Sequence, residues 1–164
     1  MMNDSAVLDI AAEVTTEQEF LAFRLGAEEY GIAILQTQEI RNFETLTRLA
    51  NSPDYLRGVM NLRGVIVPVI DLRLRFGTGA DAPDSSTVVI ILNIHGRVIG
   101  VVVDSVSDVV TLITADIKPA PELGTTFSSN YLIGLGQIEE RMIILLDIEK
   151  VMSGPELGLI AQTA

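Results

Sequence analysis

The sequence contains no cysteine and no tryptophan, and aromatic residues make up 5% of its 164 residues. Without cysteine the chain has no disulfide bond, no thiolate chemistry and no cysteine-ligated metal site, which suits a reducing cytoplasm. Basic residues are also few: 11 Lys and Arg stand against 22 Asp and Glu, which gives a formal net charge of −11. So acidic a chain is not expected to bind nucleic acid.

Long apolar runs and a basic N-terminus are missing as well. The longest apolar runs, residues 98–103 and 142–146, are far shorter than the roughly 20 residues that span a bilayer. The first residues include Asp4, Asp9 and Glu13 but no Lys or Arg, so they do not form a secretory signal. The sequence therefore predicts a cytoplasmic protein.

Motifs for catalysis, phosphate binding or metal binding are not found. The single histidine, His95, falls in a predicted turn, and no nucleophile elbow accompanies it. The glycine pairs at 77/79 and 134/136 lack the third glycine of a phosphate-binding loop. Asp104 and Asp108 have no histidine, cysteine or calcium-loop pattern around them. We predict a protein that is not an enzyme and that uses no cofactor and no metal.

Valine and isoleucine dominate the hydrophobic residues, which make up 48% of the chain, and they favour β structure. Residues 1–18 lack periodicity and are predicted to be a flexible acidic tail, and residues 19–164 are predicted to be one domain. Pro68 predicts a bulge or an edge position. Residues 51–54 predict a helical turn, residues 147–152 a short helix, and Ser153 with Glu156 the start of a terminal helix. Hairpins are predicted at residues 20–35, 55–76, 87–103 and 131–146.

The chain contains a weak internal repeat, over about residues 20–72 and 89–148. Sliding it by 76 residues puts Tyr55 and Gly58 on Tyr131 and Gly134, and sliding it by 69 residues puts 20–34 on 89–103. Two half-copies of two hairpins each predict two similar small β units side by side, which tend to close into barrels.

Arginine is concentrated in one part of the chain and marks a candidate surface. Six of the 11 basic residues lie between positions 41 and 75, and all six are arginine. Arg48 and Arg75 are interpreted as solvated charges. Arg63 lies at a glycine-flanked bend and falls on Glu139 in the repeat, so we predict an interface role for it.

A second candidate patch lies at residues 37–40. If this segment is a strand, Thr37 and Glu39 share one face. The residues alone leave two readings equally open: a binding patch, or an edge-strand acid that discourages aggregation.

Residues 58–73, G-V-M-N-L-R-G-V-I-V-P-V-I-D-L-R, carry a family resemblance. They resemble the signature of the CheW-like domain family, the adaptors of bacterial chemotaxis arrays. Further matching motifs, at residues 28–32, 38–41, 48–51, 101–109, 119–122 and 131–136, extend the resemblance over nearly the whole chain. It implies an all-β fold of two SH3-like five-stranded β-barrels that share a hydrophobic seam, with short helices at the C-terminus.

The resemblance also implies function and partners. The protein would be a non-catalytic adaptor that couples the cytoplasmic tips of methyl-accepting chemotaxis receptors to the histidine kinase CheA, through the kinase's own CheW-like regulatory domain. It would work at receptor arrays under the inner membrane and reach the membrane only through receptors. The implied receptor-binding residues are Thr37, Glu39, Ile40, Gly58, Asn61, Arg63 and Val109, and the implied kinase-binding residues are Gly64, Ile66 and Gly100.

Two other functions stay open from the sequence. One is a small-molecule sensor with its ligand in the seam between the barrels, and the other is a CheW-like adaptor of a non-chemotaxis kinase pathway. The length of the chain favours a single adaptor domain over a CheV-type protein, which adds a receiver domain, and over the kinase itself.

Overall fold

The computed structural model describes residues 16–75, 84–119 and 131–152, and the described part is built almost entirely of β-strands. The predicted terminal helix at Ser153 lies outside these residues, as does all of the predicted tail up to residue 15. The strands are β1 Glu17–Leu25, β2 Glu28–Ala33, β3 Thr37–Asn42, β4 Leu56–Leu62, β5 Val65–Asp71, β6 Val88–Ile94, β7 Arg97–Val103, β8 Ser105–Ile113, β9 Ile117–Lys118, β10 Leu132–Ile138 and β11 Arg141–Leu146, with two short helices, α1 Leu72–Arg75 and α2 Ile148–Met152.

These strands form two sheets that interlock the two halves of the chain. The six-stranded sheet has the order β8-β1-β2-β11-β10-β9, and the five-stranded sheet has the order β3-β6-β7-β5-β4. The six-stranded sheet contains hairpin β1–β2 from the first half of the chain and hairpin β10–β11 from the second half. The five-stranded sheet contains hairpin β6–β7 from the second half and hairpin β4–β5 from the first half. The two halves of the sequence are therefore not side by side as expected, because each half contributes strands to both sheets.

Buried side chains form three clusters, which explains why several strands are apolar along their whole length. One cluster, including Met60, Val67 and Ile91, fills the interior of the barrel that the five-stranded sheet forms. A second cluster, including Phe20, Leu112 and Ile143, fills the interior of the barrel that the six-stranded sheet forms. The third and largest fills the seam between the sheets. Because β1 and β6 are buried on both faces, alternate residues of each strand belong to a barrel interior and to the seam.

The positions that the repeat aligns have matching local structure. The backbone N–H of Asp71 donates to the carbonyl of Tyr55 over 2.6 Å, and that of Asp147 donates to Tyr131 over 2.8 Å. The register of each second hairpin shifts just before its glycine, at Gly58 and at Gly134. We propose that the two halves descend from one duplicated unit, which these equivalences support.

Four details differ from the sequence predictions. The six-stranded sheet gains its extra strand from the short β9. β1 begins two residues inside the predicted tail, because Glu17 pairs with Ile113 and residue 18 pairs with residue 112. Residues 51 and 54 lie in turns, and residues 51–54 form no helical turn. Pro68 lies in an inner strand, yet its missing N–H is tolerated because β5 pairs with β7 only from Val69 onward.

Candidate functional site

The β4–β5 hairpin ends in a tight turn at Arg63 and Gly64. Both residues have positive φ, 51° and 90°, as two-residue hairpin turns of the favoured type require. Asn61 Oδ1 accepts a hydrogen bond from the backbone N–H of Gly64 over 2.8 Å, which fixes the turn. The β6–β7 turn repeats this arrangement, with Asn93 accepting from Gly96. The Arg63 side chain is therefore held at an exposed bend by its backbone.

An ion pair at this bend joins the two edge strands of the five-stranded sheet. Arg63 Nη2 donates to Glu39 Oε2, and Arg41 Nη1 donates to Glu39 Oε1 over 3.2 Å. Glu39 is on β3 at one edge of the sheet, and Arg63 follows β4 at the other edge. The Arg63 hydrogen bond outweighs desolvation and holds the pKa of Glu39 below its usual value. Glu39 and Arg63, which the resemblance places together among the receptor-binding residues, thus contact each other directly.

The other patch residues lie on different faces of two edge strands. Along β3, Thr37 and Glu39 are half-buried, whereas Ile40 points outward and is 45% exposed. Val109 lies on β8, the edge strand of the six-stranded sheet, and is 49% exposed. The Thr37 hydroxyl is buried and finds no partner among the described residues. Ile40 and Val109 are thus better placed than Thr37 for an outward contact.

Gly58 and Gly100, by contrast, are buried in their strands. Gly58 has φ +145°, and a Cβ there would overlap the carbonyl oxygen of Thr47, which bridges to β4. A Cβ on Gly100 would lie 2.9 Å from Val89 Cγ1 and 3.3 Å from Val69 Cγ2. Close packing of strands is sufficient to explain both glycines. Gly100 thus has an explanation within the fold, and its role in kinase binding stays a prediction.

Gly64 and Ile66 lie at the exposed end of the same hairpin. A Cβ on Gly64 would meet nothing within 4 Å. Ile66 is 57% exposed, and its neighbour Val65 is similarly open to solvent. These exposed apolar side chains beside Arg63 form a continuous candidate docking surface at this end of the five-stranded barrel.

Arg141 is the residue that sequence reasoning missed. At the start of β11 it donates to Asp108 Oδ1 over 2.8 Å and to Glu29 Oε2 over 2.9 Å, tying edge strand β8 to the middle of the sheet. Asp108 aligns with Glu39 in the repeat. In each barrel this acidic residue pairs with an arginine, Arg63 of the β4–β5 hairpin or Arg141 of the β10–β11 hairpin. Arg141 is therefore the counterpart of Arg63, two residues beyond Glu139, the position that the repeat aligns with Arg63. Because the second half has an equivalent arginine, the alignment of Arg63 with Glu139 does not by itself indicate an interface role, and that inference is corrected.

Four of the six clustered arginines are committed to ion pairs inside the protein. Arg73 is almost fully buried and donates from Nε and Nη2 to the two oxygens of buried Asp71, each over 3.0 Å. Arg57 donates to the same carboxylate over 2.8 Å, and Arg73 also reaches Asp104 over 3.2 Å. Burial raises the pKa of Asp71, but the bonds from Arg73 and Arg57 outweigh it and hold the pKa below its usual value. The number of arginines between residues 41 and 75 thus overestimates the positive charge that this part of the surface offers to a partner.

The Arg141 pairs predict a loss of stability in acid. Hydrogen bonds from Arg141 hold the pKa values of Glu29 and Asp108 below their unfolded values of 4.5 and 3.8. Stability from these pairs is complete at neutral pH and is lost as pH falls below about 5, because the unfolded chain then binds more protons. We expect Arg141→Gln to lower the free energy of unfolding in urea by about 1 kcal/mol at pH 7. Between pH 7 and pH 3, the free energy of unfolding of this variant should fall less steeply than that of the unchanged protein. An equally steep fall of the free energy of unfolding with pH in both proteins would contradict the stabilising role of the Arg141 pairs.

The described residues contain no group of acids and histidines arranged to hold a metal ion. None of the helices within the described ranges is long and apolar enough to cross a membrane. The seam, where a sensor would hold its ligand, is filled by apolar side chains such as Phe23, Ile70, Leu92 and Val101.

Two interlocked barrels with an exposed, charged and apolar hairpin end define a protein-docking module. A family model for the CheW-like domain matches residues 19–156. The chain is 53% identical over 160 residues to chemotaxis protein CheW of Klebsiella aerogenes, covering 98% of this chain and 96% of the relative. It is 36% identical to CheW of Rhizobium meliloti, covering 85% and 90%. The crystal structure of scaffolding protein TtCheW from Thermoanaerobacter tengcongensis matches with a TM-score of 0.74 and 32% identity, covering 81% of this chain and 86% of that one.

The chain therefore belongs to the CheW-like domain family. The structural match confirms the predicted all-β fold of two SH3-like barrels. A chemotaxis adaptor or scaffold is the function that this membership supports, and a small-molecule sensor is not favoured.

Proposed function

We propose that this chain is a non-catalytic adaptor that links the cytoplasmic tips of methyl-accepting chemotaxis receptors to the regulatory domain of the histidine kinase CheA. The family match and the names of the relatives, chemotaxis protein and scaffolding protein, support this assignment. The adaptor works in the cytoplasm, at arrays under the inner membrane, and meets the membrane only through receptors.

The receptor surface that we propose is centred on the Glu39–Arg63 ion pair, which is the observation that carries the proposal. This pair holds an exposed hairpin end against edge strand β3. The arginine side chain remains 64% exposed, so it keeps donors free for a partner. Ile40 supplies an outward apolar contact beside it, and we propose that Val109 and Asn61 complete the surface.

The kinase surface that we propose uses Gly64 and Ile66. It adjoins the receptor surface, because Gly64 follows Arg63 directly in the turn. A change at the turn itself would therefore disturb both surfaces. Glu39 and Ile66, which lie outside the turn, are the positions that separate the two partners in an experiment.

Exchanging the charges of the Glu39–Arg63 pair tests the receptor surface. We expect Arg63→Glu and Glu39→Arg each to fold normally, because Arg63 is exposed and Glu39 is only half-buried at a sheet edge, and each to bind a receptor-tip fragment at least about tenfold more weakly. The double exchange should recover part of the affinity, because the opposite charges face each other again. Calorimetry on the four proteins measures all three effects.

Arg48→Glu is the matched control, since Arg48 is exposed and makes no ion pair with any described residue. It changes the net charge by the same amount and sign as Arg63→Glu and should bind normally. Additive losses in the double variant would mean that each charge contacts the receptor independently. Normal binding by both single variants would remove this site from the receptor surface.

A further inference from the structure

The N-terminal end of β1 has an open edge. Residues 20–25 of β1 pair with β2, whereas residues 17–19 pair only with β8. Among the described residues no strand covers their other edge, because the chain leaves β2 at Ala33 and enters the 3-10 turn Ile34–Gln36. Alternate residues of a strand direct their N–H and C=O groups to one side, so this edge presents backbone hydrogen-bonding groups.

A groove runs beside this edge. Its volume is about 200 Å³, and it is lined by Glu17, Gln18, Glu19, Phe20, Ala33, Ile34 and Leu35. Leu35 is 95% exposed, the most exposed of the large apolar side chains in the described part. The groove therefore combines an open strand edge, an apolar wall and an acidic rim.

The fold itself does not require a leucine at this position. Sliding the chain by 69 residues puts Leu35 on Asp104, which also follows the second strand of its half. The Asp104 carboxylate is used internally, because it accepts a hydrogen bond from the backbone of Gly26 over 2.7 Å and pairs with Arg73. The equivalent position in the first half instead exposes an apolar side chain to solvent.

We propose that this groove is a β-augmentation site, which binds an extended segment of another protein in which an apolar residue is flanked by lysine or arginine. The stretch of residues 17–19 extends over about 10 Å of strand, enough for a short added strand. Leu35 and Ile34 contact the apolar residue of that strand, and the exposed Glu17 and Glu19 carboxylates attract its basic residues.

Charge argues against the chain itself as the occupant. Residues 1–15 contain Asp4, Asp9 and Glu13 and no basic residue, and residues 153–164 contain Glu156 and no basic residue. A second copy carries a net charge of −11. All three would place like charges next to the acidic rim, where a basic segment would be attracted.

The test is a titration of the full-length, ¹⁵N-labelled protein with a nine-residue peptide that alternates lysine with valine and has a central leucine. We expect saturable amide shifts concentrated at residues 17–19 and 34–36. Replacing the lysines by glutamate should abolish binding, and N-methylating the peptide backbone should weaken it about tenfold by removing ladder hydrogen bonds. Failure to saturate at millimolar peptide, shifts elsewhere or equal binding of the glutamate peptide would overturn the proposal.

Substitutions in the protein provide an independent check. Leu35→Ala and the double variant Glu17→Gln, Glu19→Gln should each weaken binding about tenfold. Leu49→Ala, which shortens another exposed leucine outside the groove, should not. In a full-length variant carrying Leu8→Ser and Ile10→Ser, unchanged peptide affinity supports an open groove. Affinity that rises more than about tenfold would show that the chain's own N-terminal segment occupies it and would overturn the proposal.

Discussion

Replacing Arg73 by methionine is expected to lower the free energy of unfolding by about 3–5 kcal/mol. Arg73 forms two hydrogen bonds with the fully buried carboxylate of Asp71 and also pairs with Asp104. Methionine fills much of the volume but leaves Asp71 with only the half-exposed Arg57 as a charged partner. A buried charge that loses its main partner is far more costly than the loss of an exposed ion pair.

Two further variants show whether the missing charge is the cause. Adding Asp71→Asn to Arg73→Met removes the uncompensated carboxylate and should recover part of the lost stability. Arg48→Met removes an exposed arginine and should leave urea unfolding unchanged. If Arg73→Met costs less than about 1 kcal/mol, the buried network does not stabilise the fold as described.

Gly58→Ala is expected to destabilise the protein by about 3 kcal/mol or more. Its φ of +145° is unfavourable for any residue with a side chain, and the added Cβ would overlap the backbone carbonyl of Thr47. That carbonyl accepts the hydrogen bond from Val59 over 2.8 Å, so it cannot move away without breaking the bridge to β4. Urea unfolding measures the loss.

Two other glycines separate strain from overlap. Gly64→Ala has the positive φ of +90° but open space around its Cβ, so we expect a loss of about 1 kcal/mol. Gly134→Ala has no left-handed φ but would overlap the carbonyl of Lys118, so it reports the overlap alone. A Gly58 variant no less stable than the Gly64 variant would contradict the close approach of Thr47 to β4.

The hairpins were predictable because their signals are local. Apolar strands bounded by glycine, asparagine or paired acids predict turns, and the turns at Arg63 and His95 lie where the pattern indicates. The short helix after Asp147 was predictable for the same reason, since Asp147 Oδ1 accepts from the backbone of Lys150. The ion pair of Glu39 with Arg63 joins two residues that the resemblance placed at one binding surface.

The remaining features depend on which strands become neighbours, and local patterns do not contain that information. The exchange of hairpins between the halves follows from β5 pairing with β7 and β11 pairing with β2. Gly100 looks like a site of close approach in the sequence, and only its neighbours Val69 and Val89 show that strands of the same chain make that approach. Arg141 was missed because its partner Glu29 is 112 residues away.

We propose that one chain holds a receptor and a kinase at the same time. The most direct test of this proposal is the mass of the complex formed when the protein is mixed with a receptor-tip fragment and the regulatory domain of CheA, measured by size-exclusion chromatography with light scattering. We expect a ternary complex that Glu39→Arg reduces to the kinase complex and that Ile66→Asp reduces to the receptor complex. Displacement of one partner by the other, or binding of neither, would contradict the adaptor function.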